Sequence, residues 1–458
     1  MTIRNRKINR RGFLKSAFAV GGAMMAGPYV LRSAEPGKKL NMAFIGTGGQ
    51  GRGHLWLGRD NNCVCYCDVN QQKWPKDIFP NAPGYTDYRK MFDKHMKEID
   101  AVVIATPDHS HAVATMMALK AGKHCYTEKP LTWSISEARA LAEETARQKV
   151  ATQMGNHGHA NEGNRRVVEW VRGGVLGDIK EVHTWTSRPI WPQGINRPPT
   201  KPVPAGLDWD SWIGPAQFRD YHDNLDSFNW RGWFDFGCGA IGDMGCHTWD
   251  CIYWAMDPDY PTNIELLKVE GKTKETYPKS SCFKWVFPAK GSRPGFDAYW
   301  YEGGMKPEAP EEFVNDPFRK QLTNSLGKDG KPELPKSGTL IYGTKGKMLV
   351  QGDYSDSLRL IPEKFQQEAK LPDKSIPRSP GHKQEWIMAC KGEKPWDYPG
   401  SNFAKYAGPL TEIMLLGAIT QRIGEVGFKV ECDPVKREIK TKEALAFIGR
   451  EYRKGWSL

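Results

Sequence analysis

Lys39 to Ile45 is a short apolar run that feeds directly into Gly46-Thr47-Gly48-Gly49-Gln50-Gly51, and a helical stretch follows. No other feature narrows the fold of the chain as far. In a strand–turn–helix, these glycines permit the tight turn and the close approach of a pyrophosphate to backbone, with the helix start facing it. A G-x-G-x-x-G without a preceding strand is weak; here the strand is present. A second apolar run, Cys63 to Cys67, ends at Asp68, twenty residues past Gly48. A carboxylate there grips the adenosine ribose and repels a 2′-phosphate, so NAD is expected over NADP. A glycine-rich surface turn followed by an unrelated Asp is the alternative.

The alternation continues. A strand from Ile99 to Ala105 enters Thr106-Pro107-Asp108-His109-Ser110-His111, with a helix through Ala112 to Lys120. The strand His124 to Thr127 ends at Glu128-Lys129-Pro130, and Ser134-Ile135-Ser136-Glu137 reads as a capping box that opens a helix to about Arg147. Strand–helix alternation specifies a doubly wound parallel Rossmann sheet, α/β in class, with ligands at the carboxyl ends of the strands. Thr106-Pro107 and Glu128-Lys129 occupy such ends. From about Gly155 the rhythm changes to longer strands, many tryptophans and Pro/Gly-rich connections. An α+β domain with an open, largely antiparallel sheet is expected there. The division is residues 1–34, 35–156 and 157–458, the last segment packing back on the Rossmann domain.

Residues 1–34 read as a twin-arginine leader. Asn9-Arg10-Arg11-Gly12-Phe13-Leu14-Lys15 precedes an apolar stretch too short and glycine-rich to anchor in a bilayer. Such signals export folded proteins, here to the periplasm. Without the seven Lys and Arg of this leader, which holds no acid, the formal net charge falls from +12 to +5. That leaves no strong footprint for nucleic acid. No other segment has the length and apolarity of a membrane helix. A nicotinamide enzyme must load its cofactor before export, so a tightly held dinucleotide is expected. Cys63, Cys65 and Cys67 share one face of a strand, and neighbours two apart rarely reach disulfide geometry. The ten cysteines therefore read as buried free thiols.

Chemistry in the second half concentrates in Gly239-Ala240-Ile241-Gly242-Asp243-Met244-Gly245-Cys246-His247. On a helix, Asp243 and His247 project from one face and can converge on a substrate hydroxyl for proton abstraction. A helix-capping Asp with a nearby His fits the same spacing. His157, His159 and Arg188 fall where the second domain should face the nicotinamide. Substrate contact, structural hydrogen bonding and a metal at His157 and His159 are the readings, and no metal is expected. Trp185, Trp191, Trp230 and Trp233 can stack on a pyranose face or pack a core.

Together these residues resemble the Gfo/Idh/MocA oxidoreductase family, in an exported twin-arginine subgroup. The resemblance covers essentially the whole chain after the leader. It rests on Gly46 to Gly51, Thr106-Pro107 with His111, Glu128-Lys129-Pro130, and Asp243 with His247. It implies hydride transfer between a sugar, glycoside or cyclitol carbon, C3 among the choices, and nicotinamide. By that resemblance Lys129 sits beside the reacting hydroxyl, His247 moves its proton and Asp243 orients the site. A lysine beside cationic nicotinamide and another base also suits proton relay on physical grounds. Gly46, Thr47, Gly48, Gly49, Gln50, Gly51, Asp68, Thr106, Pro107, His111, Glu128 and Lys129 are expected at the cofactor. His157, Arg188, Trp191, Asp243 and His247 are expected at the substrate. The competing readings are an NAD-recycling glycosidase or lyase that oxidises transiently and eliminates the aglycone, and a non-catalytic exported carbohydrate-binding protein. A homo-oligomer through the C-terminal sheet is expected.

Overall fold

The computed structural model describes residues 38–225, 228–315 and 333–458. The leader lies outside the described residues. The first sheet is built from β1 (Asn41–Ile45), β2 (Asn62–Cys67), β3 (Gly84–Tyr85), β4 (Ala101–Ile104), β5 (His124–Thr127) and β6 (Thr152–Met154). They run in the order β3-β2-β1-β4-β5-β6, and every pairing is parallel. Helices cover both faces, so β4 reads as an unbroken apolar run and is wholly buried.

The register decides where a site can form. Ile45 pairs with Cys67 and Ile104, Ile104 with Thr127, and Thr127 with Met154. The strands therefore end level, and the residues that follow them stand in a row: Gly46, Asp68, Ala105, Glu128 and Gly155. A crevice along that edge is the usual ligand position of such sheets.

Ser134 caps the helix Ile135–Gln148 with the full capping box to Glu137. The stretch after the glycines differs from expectation. It breaks into two short helices, Gly49–Arg52 and Trp56–Asp60, and His54 between them turns its ring inward to Glu128. The helix after β4 begins at Asp108 rather than Ala112 and runs to Lys120.

The second sheet has β7 (Ile179–Trp185), β8 (Asn263–Glu270), β9 (Ser280–Phe287), β10 (Phe296–Glu302), β11 (Gly338–Gly343), β12 (Lys347–Gln351), β13 (Ser357–Ile361), β14 (Lys429–Asp433) and β15 (Glu438–Ile439). Their order is β13-β12-β11-β7-β10-β9-β8-β14-β15. Only β7 and β10 pair in parallel; β11 and β12 form the expected hairpin around residues 344–346. Two buried helices, Gly239–Thr248 and Gly408–Ile423, supply much of the core beside this sheet.

Later segments return to the first sheet. Ser401 N–H donates to Gln153 Oε1 and Phe403 N–H to Thr152 Oγ1. Near the end of the chain, Arg450 and Tyr452 both bond Glu137 Oε1, at 2.7 and 2.9 Å, and Trp456 packs edge-on against Tyr88.

All ten cysteines are free, and burial pushes the Cys63 and Cys65 thiols up to about 12. No helix among the described residues is long and apolar enough to cross a membrane.

Candidate active site

A cleft of about 430 Å³ runs along the carboxyl edge of the first sheet. Gly46, Gly48, Gly49, Gln50, Asp68, Thr106, Pro107, Glu128 and Lys129 border it from the Rossmann side, and His157 and His247 also reach it.

The glycine loop is packed so closely that a side chain has no room at two of its positions. Gly46 has φ +81°, and a Cβ there would lie 2.4 Å from the Ala105 carbonyl oxygen; one on Gly51 would lie 2.0 Å from that of Gly46. Gly51 is thus the packing glycine, and neither it nor Thr47 borders the cleft. Thr47 is buried, and its N–H donates to Asp68 Oδ2 at 2.8 Å, as does that of Gly48 at 3.2 Å. Asp68 Oδ1 accepts from Asn70 N–H. The carboxylate is therefore fixed at the end of β2, where a ribose would lie.

Lys129 follows β5, and its Nζ donates to the Asp243 carboxylate at 2.7 Å and to the Asp243 carbonyl at 2.9 Å. Helix Gly239–Thr248 comes close because Gly242 presents no side chain: a Cβ there would meet Cys238 at 2.3 Å and Pro130 at 3.5 Å. The same helix carries His247, one turn beyond Asp243, into the cleft. Arg231 Nε donates to the same Asp243 oxygen at 2.9 Å. Burial works against ionisation of Asp243, but the two cations outweigh it and hold the carboxyl well below its usual range. Asp243 stands behind Lys129 and does not border the cleft; it positions the lysine.

His247 is pushed well below the ordinary imidazole range, first by burial, then by the charges of Lys129 and His157, against weaker pulls from Asp243 and Glu128. A neutral imidazole is a proton acceptor at neutral pH. Its Nδ1 is buried without a partner among the described residues. Glu128 accepts from His54 Nε2 at 2.7 Å. Burial opposes its ionisation, yet His54 and Lys129 bring the carboxyl down to about 2. Gly155 leaves room for it, since a Cβ there would sit 2.5 Å from the Glu128 carboxyl.

Four further residues singled out in the sequence also lie off the cleft. His111 is buried between two carbonyls, those of Pro130 and Thr106, each 2.8 Å from a ring nitrogen; it braces the two strand-end loops and does not reach the cleft. Trp191 is buried, donates to Gln193 Oε1 and packs edge-on against Phe228. Arg188 also stays off the cleft. Its carbonyl accepts from Gly303 N–H, and its Nε is buried without a partner among the described residues. His159 faces inward to Asp250, 3.1 Å from Oδ2, and stacks on Trp254. No cluster of ligand-type residues suited to a metal occurs among the described residues.

Sequence reasoning missed His54, Arg231, Asp108 and Tyr354; of these, Asp108 directly follows Thr106-Pro107 and so had a local signal. Asp108 borders the cleft, accepts from Cys238 N–H at 3.0 Å at the start of helix Gly239–Thr248, and is pushed up to about 7 by burial. Arg231 lies in the tryptophan-rich stretch Phe228 to Trp233, whose aromatics are its more visible feature.

Residues 40–156 match the family model described as an oxidoreductase family, NAD-binding Rossmann fold. Residues 169–283 match the model of that family's C-terminal alpha/beta domain. Among curated proteins, a glycosyl hydrolase family 109 protein of Shewanella pealeana is 26% identical over 204 residues, 38% of this chain and 44% of the relative. The inositol 2-dehydrogenase/D-chiro-inositol 3-dehydrogenase of Lacticaseibacillus casei is 26% identical over 253 residues, 53% of this chain and 58% of that protein. The chain thus spans about half the length of the curated relatives it matches. The fold is shared with the WlbA dehydrogenase from Bordetella pertussis, solved with NADH and UDP-GlcNAcA. Its TM-score is 0.57 at 16% identity, covering 86% of this chain and 99% of that one. Levoglucosan dehydrogenase, solved with NADH and levoglucosan, has a TM-score of 0.52 at 15% identity, covering 86% and 99%.

Proposed function

The chain belongs to the Gfo/Idh/MocA oxidoreductase family, and on that premise we propose that it is an NAD-dependent sugar, glycoside or cyclitol oxidoreductase. One observation carries the reading. Lys129, tethered to Asp243, and a neutral His247 meet at the carboxyl edge of an NAD-binding sheet, in one cleft with the glycine loop. Oxidising a secondary alcohol releases a hydride and a proton. Bound nicotinamide supplies the hydride acceptor. Lys129 donates a hydrogen bond to the reacting oxygen and stabilises its developing charge, and His247 takes the proton. Asp243 and Arg231 hold Lys129 in place.

The test is to purify the protein without added cofactor and screen neutral pyranoses, glycosides and myo-inositol for absorbance of reduced nicotinamide. The reading fails if no member of these classes reduces the cofactor, bound or added.

The pH dependence follows from His247. Its depressed pKa keeps the base form populated as pH falls through the ordinary imidazole range, so the oxidation rate should stay level there and drop only in stronger acid. His247→Ala should lower turnover by about a hundredfold and remove that acidic limb. A wild-type rate that already collapses near the ordinary imidazole pKa contradicts the assignment.

Asp68 should give NAD the advantage. With the carboxylate removed in Asp68→Ala, the preference over NADP should narrow by roughly tenfold or more, because repulsion of a 2′-phosphate is gone. Tighter wild-type binding of NADP than of NAD would refute this role.

A second reading has its own support in the glycosyl hydrolase family 109 relatives. In it the substrate is a glycoside, oxidised transiently, so that the aglycone leaves and the cofactor is restored. Release of aglycone without net NADH distinguishes it from net oxidation. We further propose export by the twin-arginine route to the periplasm, which the Arg10-Arg11 leader supports. A homo-oligomer through the second sheet is also proposed. The stacked, half-buried rings of His183, Tyr299 and Tyr301 on one face of β7 and β10 support it.

A further inference from the structure

One wall of the cleft has no part in the mechanism above. Tyr354 sits in the turn between β12 and β13, where Gly352 has φ +79° and Ser355 φ +58°. The left-handed region is uncommon for serine, and such strain persists only where the surroundings enforce it. Two distant glycines do so here. A Cβ on Gly163 would lie 1.8 Å from the Ser355 carbonyl oxygen, and one on Gly158 3.1 Å from the Tyr354 ring. The turn is thereby pressed onto the segment that carries His157. The Tyr354 ring lies 4.6 Å from that of His157 and 5.0 Å from that of His247, and these two imidazoles are 5.4 Å apart. All three residues border the cleft. The Tyr354 hydroxyl has no hydrogen-bond partner among the described residues.

We propose that the Tyr354 hydroxyl and the His157 imidazole together grip hydroxyls of the substrate beside the reacting carbon, and so select a neutral polyhydroxylated ring. The inference rests on the oxidoreductase reading of the cleft and names the group that recognises its substrate. A phenol both donates and accepts one hydrogen bond, and a neutral imidazole does the same, which matches sugar hydroxyls. Burial keeps both in their neutral forms, raising Tyr354 and lowering His157. Of the cations near this corner, Lys129 and Arg231 share Asp243, and Arg188, whose charge reaches Tyr354, does not border the cleft. Sites built to bond a hydroxyl reject analogues that lack it, because their own polar groups are left unpaired.

Tyr354→Phe removes one oxygen and keeps the ring that packs on His157 and Gly158. The probes are methyl glucoside, methyl galactoside, methyl N-acetylgalactosaminide and myo-inositol, with the mono-deoxy derivatives of whichever binds best. Binding to the NAD-loaded protein is read by calorimetry, and NADH formation by absorbance. We expect Kd and KM to rise roughly tenfold, the scale of one lost hydrogen bond with an unpaired partner, with kcat within about threefold and bound NAD unchanged. One mono-deoxy derivative should bind wild type and variant alike. Affinity within about twofold of wild type on every probe overturns the proposal. So does a fall in kcat at unchanged KM, which would place Tyr354 in the chemical step, or loss of NAD from the variant. Calorimetry reads the contact without turnover, so a wild type that binds these rings but forms no NADH tells against the oxidoreductase reading alone.

Discussion

Lys129→Met should lower turnover by about a hundredfold or more while NAD binding stays within a few-fold, the usual scale of a positioned acid–base group. The side chain is mostly buried, and its ammonium is fixed by two bonds to Asp243. Methionine matches its length without a charge or a donor. Asp243 keeps its bond to Arg231 in the variant, so it is not left as an unpaired buried carboxylate, the usual cause of collapse on breaking such a pair. The effect should therefore appear in kcat and not in folding, which retention of the cofactor and an unchanged melting temperature would verify. A variant that turns over its best substrate at close to the wild-type rate would remove Lys129 from the chemistry.

Much of this site could be read from the chain because strand ends are local. The apolar runs closing at Ile45, Cys67, Ala105 and Thr127 place Gly46, Asp68, Thr106 and Lys129 without any knowledge of the second domain. Capping is local too, and Ser134 with Glu137 is found as the pattern indicates. The four-residue spacing of Asp243 and His247 needed only a helix, and Gly239–Thr248 is one. What escaped was set by distant segments. His54 meets Glu128 across 74 positions of sequence, and Arg231 reaches Asp243 because the chain folds back at Gly237, where a Cβ would lie 2.4 Å from the Arg231 carbonyl oxygen. Tyr354 is one residue of a tight turn, and nothing in a turn says which cleft it faces. His111, Trp191 and His159 show the converse. A polar or aromatic residue near a motif finds its hydrogen bonds wherever the fold has a buried acceptor, and these three find them away from the cleft.

The largest effect outside the chemical step concerns how long the cofactor stays. Between β7 and helix Gly239–Thr248 the chain forms a cap with its own aromatic core, built on Trp209, Trp212, Tyr221, Trp230, Trp233 and Phe236. Leu207, Ser211 and Trp212 from it border the dinucleotide cleft. This is the continuation of the Pro-rich connection beyond Trp191, and four fastenings hold it down. Gln71 N–H donates to the Gly206 carbonyl at 3.1 Å and Asp208 N–H to that of Val69 at 2.8 Å. The buried His109 ring lies 2.9 Å from the Trp212 carbonyl. From the far end of the chain, Arg453 bonds the Gly214 carbonyl and both the backbone and the carboxylate of Asp210. The loop after β2 is thus zipped to this cap, which would slow the departure of a dinucleotide bound beneath it. Protein purified without nucleotide should carry substantial NAD after extensive dialysis. Gln71→Pro tests the zip with little disturbance. Gln71 is the first residue of the turn Gln71–Lys73, a position proline favours, and Asn70 before it is already extended at φ −104°, ψ 106°. Losing that one N–H should speed NAD dissociation roughly tenfold while association changes little, and Arg453→Ala should act in the same direction. Wild-type protein that emerges empty and needs millimolar NAD in every assay would refute retention, while leaving the hydride chemistry of the cleft untouched.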